Sequence, residues 1–249
     1  MADILIENIS SMYKRISHAA MRAGRNPEDV KLIAVTKTVS VEHIKEAMDA
    51  GLRMFGESRV QEAKEKISNL KFEITPPIPP LTKGGMNGGV EWHLVGHLQK
   101  NKAKMAVELF DLIHSVDSIE IAEVINKQAE KTGKIQKILV QVKLSDEISK
   151  YGISKENIIE LLRHIRSMNN LSVKGLMTIP PFFDNPEMAR PYFRELRKLR
   201  DDAEAKGFKL SELSMGMTND FEVAIEEGAT MVRIGTGIFG ERESKKEVL

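Results

Sequence analysis

Eight short apolar runs, at 32–35, 53–57, 91–96, 112–116, 137–142, 173–179, 210–215 and 231–235, alternate with stretches of helical periodicity. Runs this short and this rich in aliphatic and β-branched residues suit strands buried on both faces. Such strands belong to a parallel sheet, where each pair needs a crossover, usually a helix. Eight strand–helix units within 249 residues therefore predict an α/β fold of one kind, a single closed (β/α)8 TIM barrel. One extra amphipathic helix is expected ahead of it, at 2–24, with Ile4, Leu5, Ile9, Met12 and Ile16 on its apolar stripe. Ser40 and Ser118 are placed to cap the helices that follow the first and fourth strands. The seventh run is interrupted by Glu212. An open doubly wound sheet is the alternative, but it wants a glycine-rich turn after its first strand, where this chain has Thr36-Lys37-Thr38. The barrel is expected to occupy 1–249 as one domain. Only 75–89, with four prolines and four glycines and no periodicity, breaks the pattern, and it reads as an inserted surface loop rather than a PxxP recognition segment.

Composition removes several classes of function. There is no cysteine, so disulfides, thiolate catalysis and cysteine-ligated metals are excluded. The formal net charge of +1 supplies no field that would gather nucleic acid or an anionic membrane. The first residues lack a signal-peptide pattern, and no apolar run reaches the roughly 20 residues of a membrane helix. The expectation is a cytoplasmic monomer with no nucleic-acid or membrane partner. No spacing of His, Asp or Glu suggests a metal.

The residues that invite chemistry fall at the C-terminal ends of the strands, where barrels hold their ligands. Lys37 follows the first apolar run. A lysine at such an edge is either a solvated strand-end charge or, if desolvated, an amine able to attack a carbonyl and form a Schiff base. Arg233 lies within the last run, between Val232 and Ile234. It needs an acceptor there, either a carboxylate such as Glu57 or a group on a ligand. Closing the barrel makes the first and eighth strands neighbours, so Lys37 and Arg233 converge. The loop 214–219 (Ser-Met-Gly-Met-Thr-Asn) and the turn Gly235-Thr236-Gly237 follow strands seven and eight, the usual position of a phosphate site. His93 is either a general base or a locally bonded structural histidine. Met177 reads as wall, and Gln99, Asn101 and Lys102 as rim.

Six ordered motifs carry a resemblance. They are Ala34-Val-Thr-Lys37-Thr38, Phe55-Gly-Glu57-Ser58-Arg-Val-Gln-Glu62, Trp92-His93-Leu-Val-Gly96-His-Leu-Gln99-Lys-Asn101-Lys102, Gly175-Leu-Met177-Thr-Ile-Pro180, Ser214-Met-Gly-Met-Thr218 and Val232-Arg233-Ile-Gly235-Thr-Gly-Ile-Phe-Gly240. Together they resemble the pyridoxal phosphate homeostasis proteins, a single-domain family related to the N-terminal barrel of alanine racemase. The resemblance implies that Lys37 forms a Schiff base with pyridoxal 5′-phosphate (PLP) and that Arg233 bonds the pyridine nitrogen. It further implies that Ser214, Gly216, Met217, Thr218, Gly235 and Thr236 hold the phosphate. Ser58, His93 and Met177 would be pocket wall. An arginine on the pyridine nitrogen keeps it unprotonated and makes the ring a poorer electron sink than an aspartate would. Two positions depart from the family pattern: Ser58 stands where asparagine is usual, and Thr218 where serine is common. The 75–89 insertion is also longer than the family generally carries.

The resemblance implies a protein that buffers or delivers PLP inside the cell, with PLP-dependent apo-enzymes as recipients, rather than an enzyme of substantial turnover. A racemase needs a second acid–base group opposite the lysine, and Tyr13, Tyr151 and Tyr192 match no such motif. The alternatives are a racemase-like enzyme of low activity and a cofactor-free barrel acting on a phosphorylated sugar.

Overall fold

The computed structural model describes residues 2–73, 89–145, 147 and 151–241. Helix α1 (Ala2–Arg22) leads into β1 (Lys31–Val35), α2 (Val41–Asp49), β2 (Met54–Glu57) and α3 (Val60–Glu73). Then come β3 (Glu91–Leu94), α4 (Ala103–Leu109), β4 (Leu112–Val116), α5 (Ile119–Lys131) and β5 (Gln136–Lys143). A two-residue strand, β6 (Ile153–Ser154), precedes α6 (Ile158–Arg166), β7 (Leu171–Met177), α7 (Arg190–Glu204), β8 (Glu212–Met217), α8 (Phe221–Glu226), β9 (Met231–Ile234) and the one-turn α9 (Thr236–Phe239). Most of the 75–89 segment lies outside the described residues. Among those described, no helix is long and apolar enough to cross a membrane.

Every strand pair is parallel, in the order β4-β3-β2-β1-β9-β8-β7-β5, and the β4–β5 pairing closes the ring. Eight strands thus form the expected barrel, while β6 adds only to the upper end of β5 through Val142 and Ile153. The seam sets Ile33 opposite Arg233 and Ala34 opposite Ile234. Ser40 and Ser118 cap α2 and α5 as anticipated, accepting from His43 N at 3.4 Å and Ile121 N at 3.3 Å.

Strand periodicity divides the apolar residues between two cores. Most fill the layer between sheet and helices, with Phe55, Trp92, Phe110 and Phe193 among the fully buried side chains. A smaller cluster of Ile33, Leu112, Leu139, Met177 and Met231 plugs the barrel interior. Helix α1 packs outside the seam: Arg15 grips Glu222 of α8 with two hydrogen bonds, and Asn8 donates to Ile238 O at 3.0 Å.

The seventh barrel strand differs from the 210–215 expected for it. It begins at Glu212, whose carboxylate pairs with Lys31 of β1 and accepts from Thr230 Oγ1 at 2.7 Å. A charge at the strand's lower end, already partnered, does not interrupt the strand. At the upper end the strand continues through Met217, so residues expected in a loop are strand residues.

Candidate functional site

A cavity of about 580 Å³ opens at the C-terminal ends of the strands, lined by Val35 of the first strand and Lys37 just beyond it, and by Arg233 of the last strand with Gly235 and Thr236 just beyond it. Ser58 comes from the exit of β2, Met217 and Thr218 from the end of β8, and Phe182 and Phe183 from the loop after β7. Lys37, Arg233, Met217, Thr218, Gly235, Thr236 and Ser58 are therefore brought together. Ser214, Gly216, His93 and Met177 do not line this cavity, and neither do Gln99, Asn101 and Lys102.

Lys37 is exposed at the mouth, not desolvated, and its ammonium makes no hydrogen bond or ion pair among the described residues. The backbone beneath it is held tightly. Thr36 is fully buried, donating Oγ1 to Glu57 Oε1 at 2.6 Å. Lys66, reaching down from α3, donates to Thr36 O (2.6 Å), Glu57 Oε1 (2.9 Å) and Glu62 Oε1 (2.6 Å). Glu62 in turn accepts the Thr38 N–H. Thr38 has φ = 62°, the one non-glycine residue in the left-handed region among those described. For a β-branched residue that conformation costs on the order of 1 kcal/mol, so the clamp on its N–H holds the turn that presents Lys37. Burial raises the Glu57 carboxyl above its ordinary range, against the opposing pull of its bonds to Thr36 and Lys66.

Arg233 is treated in the opposite way. Its guanidinium is buried at 3% exposure, with NH1 donating to Ser214 Oγ (2.6 Å) and NH2 to Thr178 O (2.9 Å). Glu57, the carboxylate considered for it from the sequence, is committed to Lys66, and no carboxylate forms an ion pair with Arg233 among the described residues. Burial pulls the guanidinium down to about 10, with the Asp220 charge opposing. A buried cation without an anion partner, and with N–H donors to spare, is costly unless a ligand supplies an acceptor.

The two loops meet through Gly237 N, which donates to Thr218 Oγ1 at 3.3 Å. The Met217 N–H is already taken by Asp220 Oδ1 at 2.6 Å. The amides of Thr218, Asn219 and Thr236, all on cavity-lining residues, have no acceptor among the described residues. Packing alone requires glycine at 216: φ is +91°, and a Cβ would lie 2.6 Å from that of Ala224 in α8. The Ser214 side chain has protein partners of its own. Its hydroxyl lies inside the barrel between Arg233 and His114, below the loop in which a phosphate-binding role was expected. Gly96, whose Cβ would strike Ser58 O at 2.2 Å, lets β2 and β3 converge so that Ser58 reaches the cavity.

Asn219 escaped the sequence reading except as part of a loop, and Phe182 and Phe183 escaped it wholly. Lys66, within the third helix, was not singled out. His114, given no role from the sequence, is fully buried beside Ser214.

A parallel eight-stranded barrel with a strand-one lysine, a strand-eight arginine and backbone donors between them defines a class, and the comparisons agree on which. The family "Alanine racemase, N-terminal domain" matches residues 8–243. A Clostridium difficile alanine racemase superimposes with TM-score 0.72 over 98% of this chain and 58% of that one, at 18% identity, a likeness of fold alone. A pyridoxal phosphate homeostasis protein of Aquifex aeolicus is 44% identical over 238 residues, covering 95% of this chain and 98% of the relative. PipY of Synechococcus elongatus, solved with PLP bound, is 35% identical with TM-score 0.78, covering 95% of this chain and all of that one. The chain belongs to the alanine racemase N-terminal-domain family and, within it, to the pyridoxal phosphate homeostasis proteins.

Proposed function

We propose that the chain binds PLP at the mouth of its barrel and serves intracellular PLP homeostasis, holding the cofactor for PLP-dependent apo-enzymes and working as a monomer in the cytoplasm. One observation carries the reading. A buried arginine, a lysine and three amides line a single cavity, and among the described residues the arginine has no carboxylate ion-pair partner, the amine no partner and the amides no acceptor. These groups fit PLP. Arg233 offers donors to an unprotonated pyridine nitrogen, the amides of Thr218, Asn219 and Thr236 with the Thr218 and Thr236 hydroxyls suit a phosphate, and Lys37 suits an aldehyde. When bound, PLP supplies an electrophilic aldehyde, which a bound state keeps from reacting with amines elsewhere.

Each side chain has a separate task. Lys37 provides the attacking amine, kept at the rim by the Lys66–Glu62–Thr38 clamp. Arg233 orients the ring and, as a permanent donor, leaves no proton on its nitrogen. Phe182 and Phe183 cover the approach on the side of β7. PipY with PLP bound and the homeostasis relatives of about the same length support this reading.

The test is an absorbance spectrum of the purified protein incubated with PLP. A visible band that disappears on borohydride reduction and in Lys37→Ala is expected. Failure to take up PLP overturns the reading. Sustained racemisation of alanine or serine that vanishes in Lys37→Ala would overturn the homeostasis role in favour of an enzyme.

A further inference from the structure

Behind Arg233, on the side away from the cavity, four polar side chains run through the barrel interior. Arg233 NH1 donates to Ser214 Oγ at 2.6 Å, and Ser214 Oγ lies 2.9 Å from His114 Nδ1. His114 Nε2 is 3.0 Å from His93 Nδ1, and His93 Nε2 is 3.4 Å from Glu91 Oε2, at the opposite end of the barrel from the cavity. Ser214 and His114 are fully buried and His93 nearly so.

We propose that His114 and His93 are positioning residues for the cofactor-binding arginine, joined to it through Ser214 in a one-way chain of hydrogen bonds that ends on the Glu91 carboxylate. The proposal rests on the PLP-binding reading and assigns interior residues to that same site.

The direction follows from counting donors. A guanidinium can only donate, so Ser214 Oγ accepts from Arg233, and its own hydrogen must go elsewhere. The His114 Nδ1 nitrogen is the acceptor in reach. With Nδ1 accepting, a neutral His114 carries its proton on Nε2 and donates to His93 Nδ1. His93 then carries its proton on Nε2, facing Glu91, a carboxylate that only accepts. Ser214, His114 and His93 each give one hydrogen bond and take one, between a terminal donor, Arg233, and a terminal acceptor, Glu91. The reverse direction fails at Ser214, where Arg233 and His114 would both donate and the hydroxyl hydrogen would have no acceptor among the described residues. A buried polar group left in that state is costly.

The charges facing the chain favour the same polarity. Arg233 stands at one end with Asp220 beyond it; Glu91 stands at the other, surrounded by Lys31, Lys137 and Asp111. Burial, then His93 and Arg233, hold His114 well below the ordinary imidazole range, so it stays neutral beside the guanidinium. The hydrogen bond to His93 keeps the Glu91 carboxyl below its usual range. With NH1 fixed on Ser214 and NH2 on Thr178 O, the guanidinium plane cannot rotate, and its remaining donors keep one direction.

Histidine-selective 15N NMR of the protein without cofactor reads the chain directly, with His93→Gln and His114→Gln assigning the signals. At about pH 7.5, above the ordinary imidazole range, both rings should carry their proton on Nε2 and show a bare Nδ1. A proton on Nδ1 of either ring, or an imidazolium signal from either, overturns the proposal. PLP titration supplies the second readout. His114→Leu should weaken PLP binding about tenfold and displace the pH profile of the bound cofactor's absorbance. His114→Gln, whose Oε1 accepts from Ser214 and whose Nε2 donates to His93, should stay within about twofold of the parent protein. Leucine and glutamine variants that bind alike overturn the positioning role. If the leucine variant does not fold, the ring protons and the glutamine variant decide. If the parent protein takes up no PLP, the binding reading fails, while the NMR tautomers still decide the chain.

Discussion

The two cations of the site are held by opposite means. Lys37 has a free side chain on an anchored backbone: Thr36 is pinned by Glu57 and Lys66, Thr38 by Glu62, and the amine reaches the cavity without a partner among the described residues. Arg233 has its side chain itself anchored, through Ser214 and Thr178, in the barrel interior. The difference matches the work assigned to each. An amine that must approach and leave an aldehyde needs freedom at its tip and precision at its root. A group that must offer donors to a ring nitrogen from one side needs a fixed plane.

Breaking each half separately tests the contrast. The largest effect belongs to Lys37→Ala, which should abolish borohydride-trapped PLP while leaving the urea midpoint equivalent to within about 0.5 kcal/mol, as for an exposed, unpartnered side chain. Lys66→Met should do nearly the reverse. It leaves Glu57 buried without its ion partner, so unfolding free energy should fall by about 3 kcal/mol, and PLP uptake should weaken although no lining residue has changed. Urea unfolding paired with a PLP titration separates the two variants.

The arginine half can be sharpened with pH. The folded pKa of His114 is depressed below its unfolded value near 6.5. Below pH ~6.5 the unfolded chain therefore takes up a proton that the native state refuses. Stability should be full above that point and fall on acidification, by up to ~1.4 kcal/mol per pH unit from this group. His114→Gln should lack that component, which urea titrations between pH 7 and pH 5 would show as a shallower slope. The smallest effect is Thr38→Gly: relief of the left-handed strain is offset by a freer unfolded chain, so stability should change by less than about 1 kcal/mol, read as a Tm.

The barrel was legible in the sequence because strand and helix periods alternate in it everywhere but at 75–89, and because the lysine follows one apolar run and the arginine interrupts another where a ligand edge must lie. The errors cluster where polar residues face inward. Glu212 looked like a break because its partners Lys31 and Thr230 come from other strands. Ser214 and Gly216 looked like loop because a barrel interior tolerates polar and small residues that a sheet–helix layer does not. The histidine chain was unreadable for a different reason. Its members, at 91, 93, 114, 214 and 233, sit on four strands, and only the register of the closed sheet stacks them. Lys66 was hidden by its helix: it is buried at 7% exposure, yet a lysine after Glu62 on an amphipathic segment reads as solvent-facing.

The seam itself has a temporal consequence. Lys37 follows the first strand and Arg233 lies on the last, two strands that become hydrogen-bonded neighbours only once the ring is complete. A polypeptide still emerging from the ribosome therefore displays an amine with nothing to orient its target. Selective capture of the cofactor has to wait until the final strand has been translated and inserted between β8 and β1.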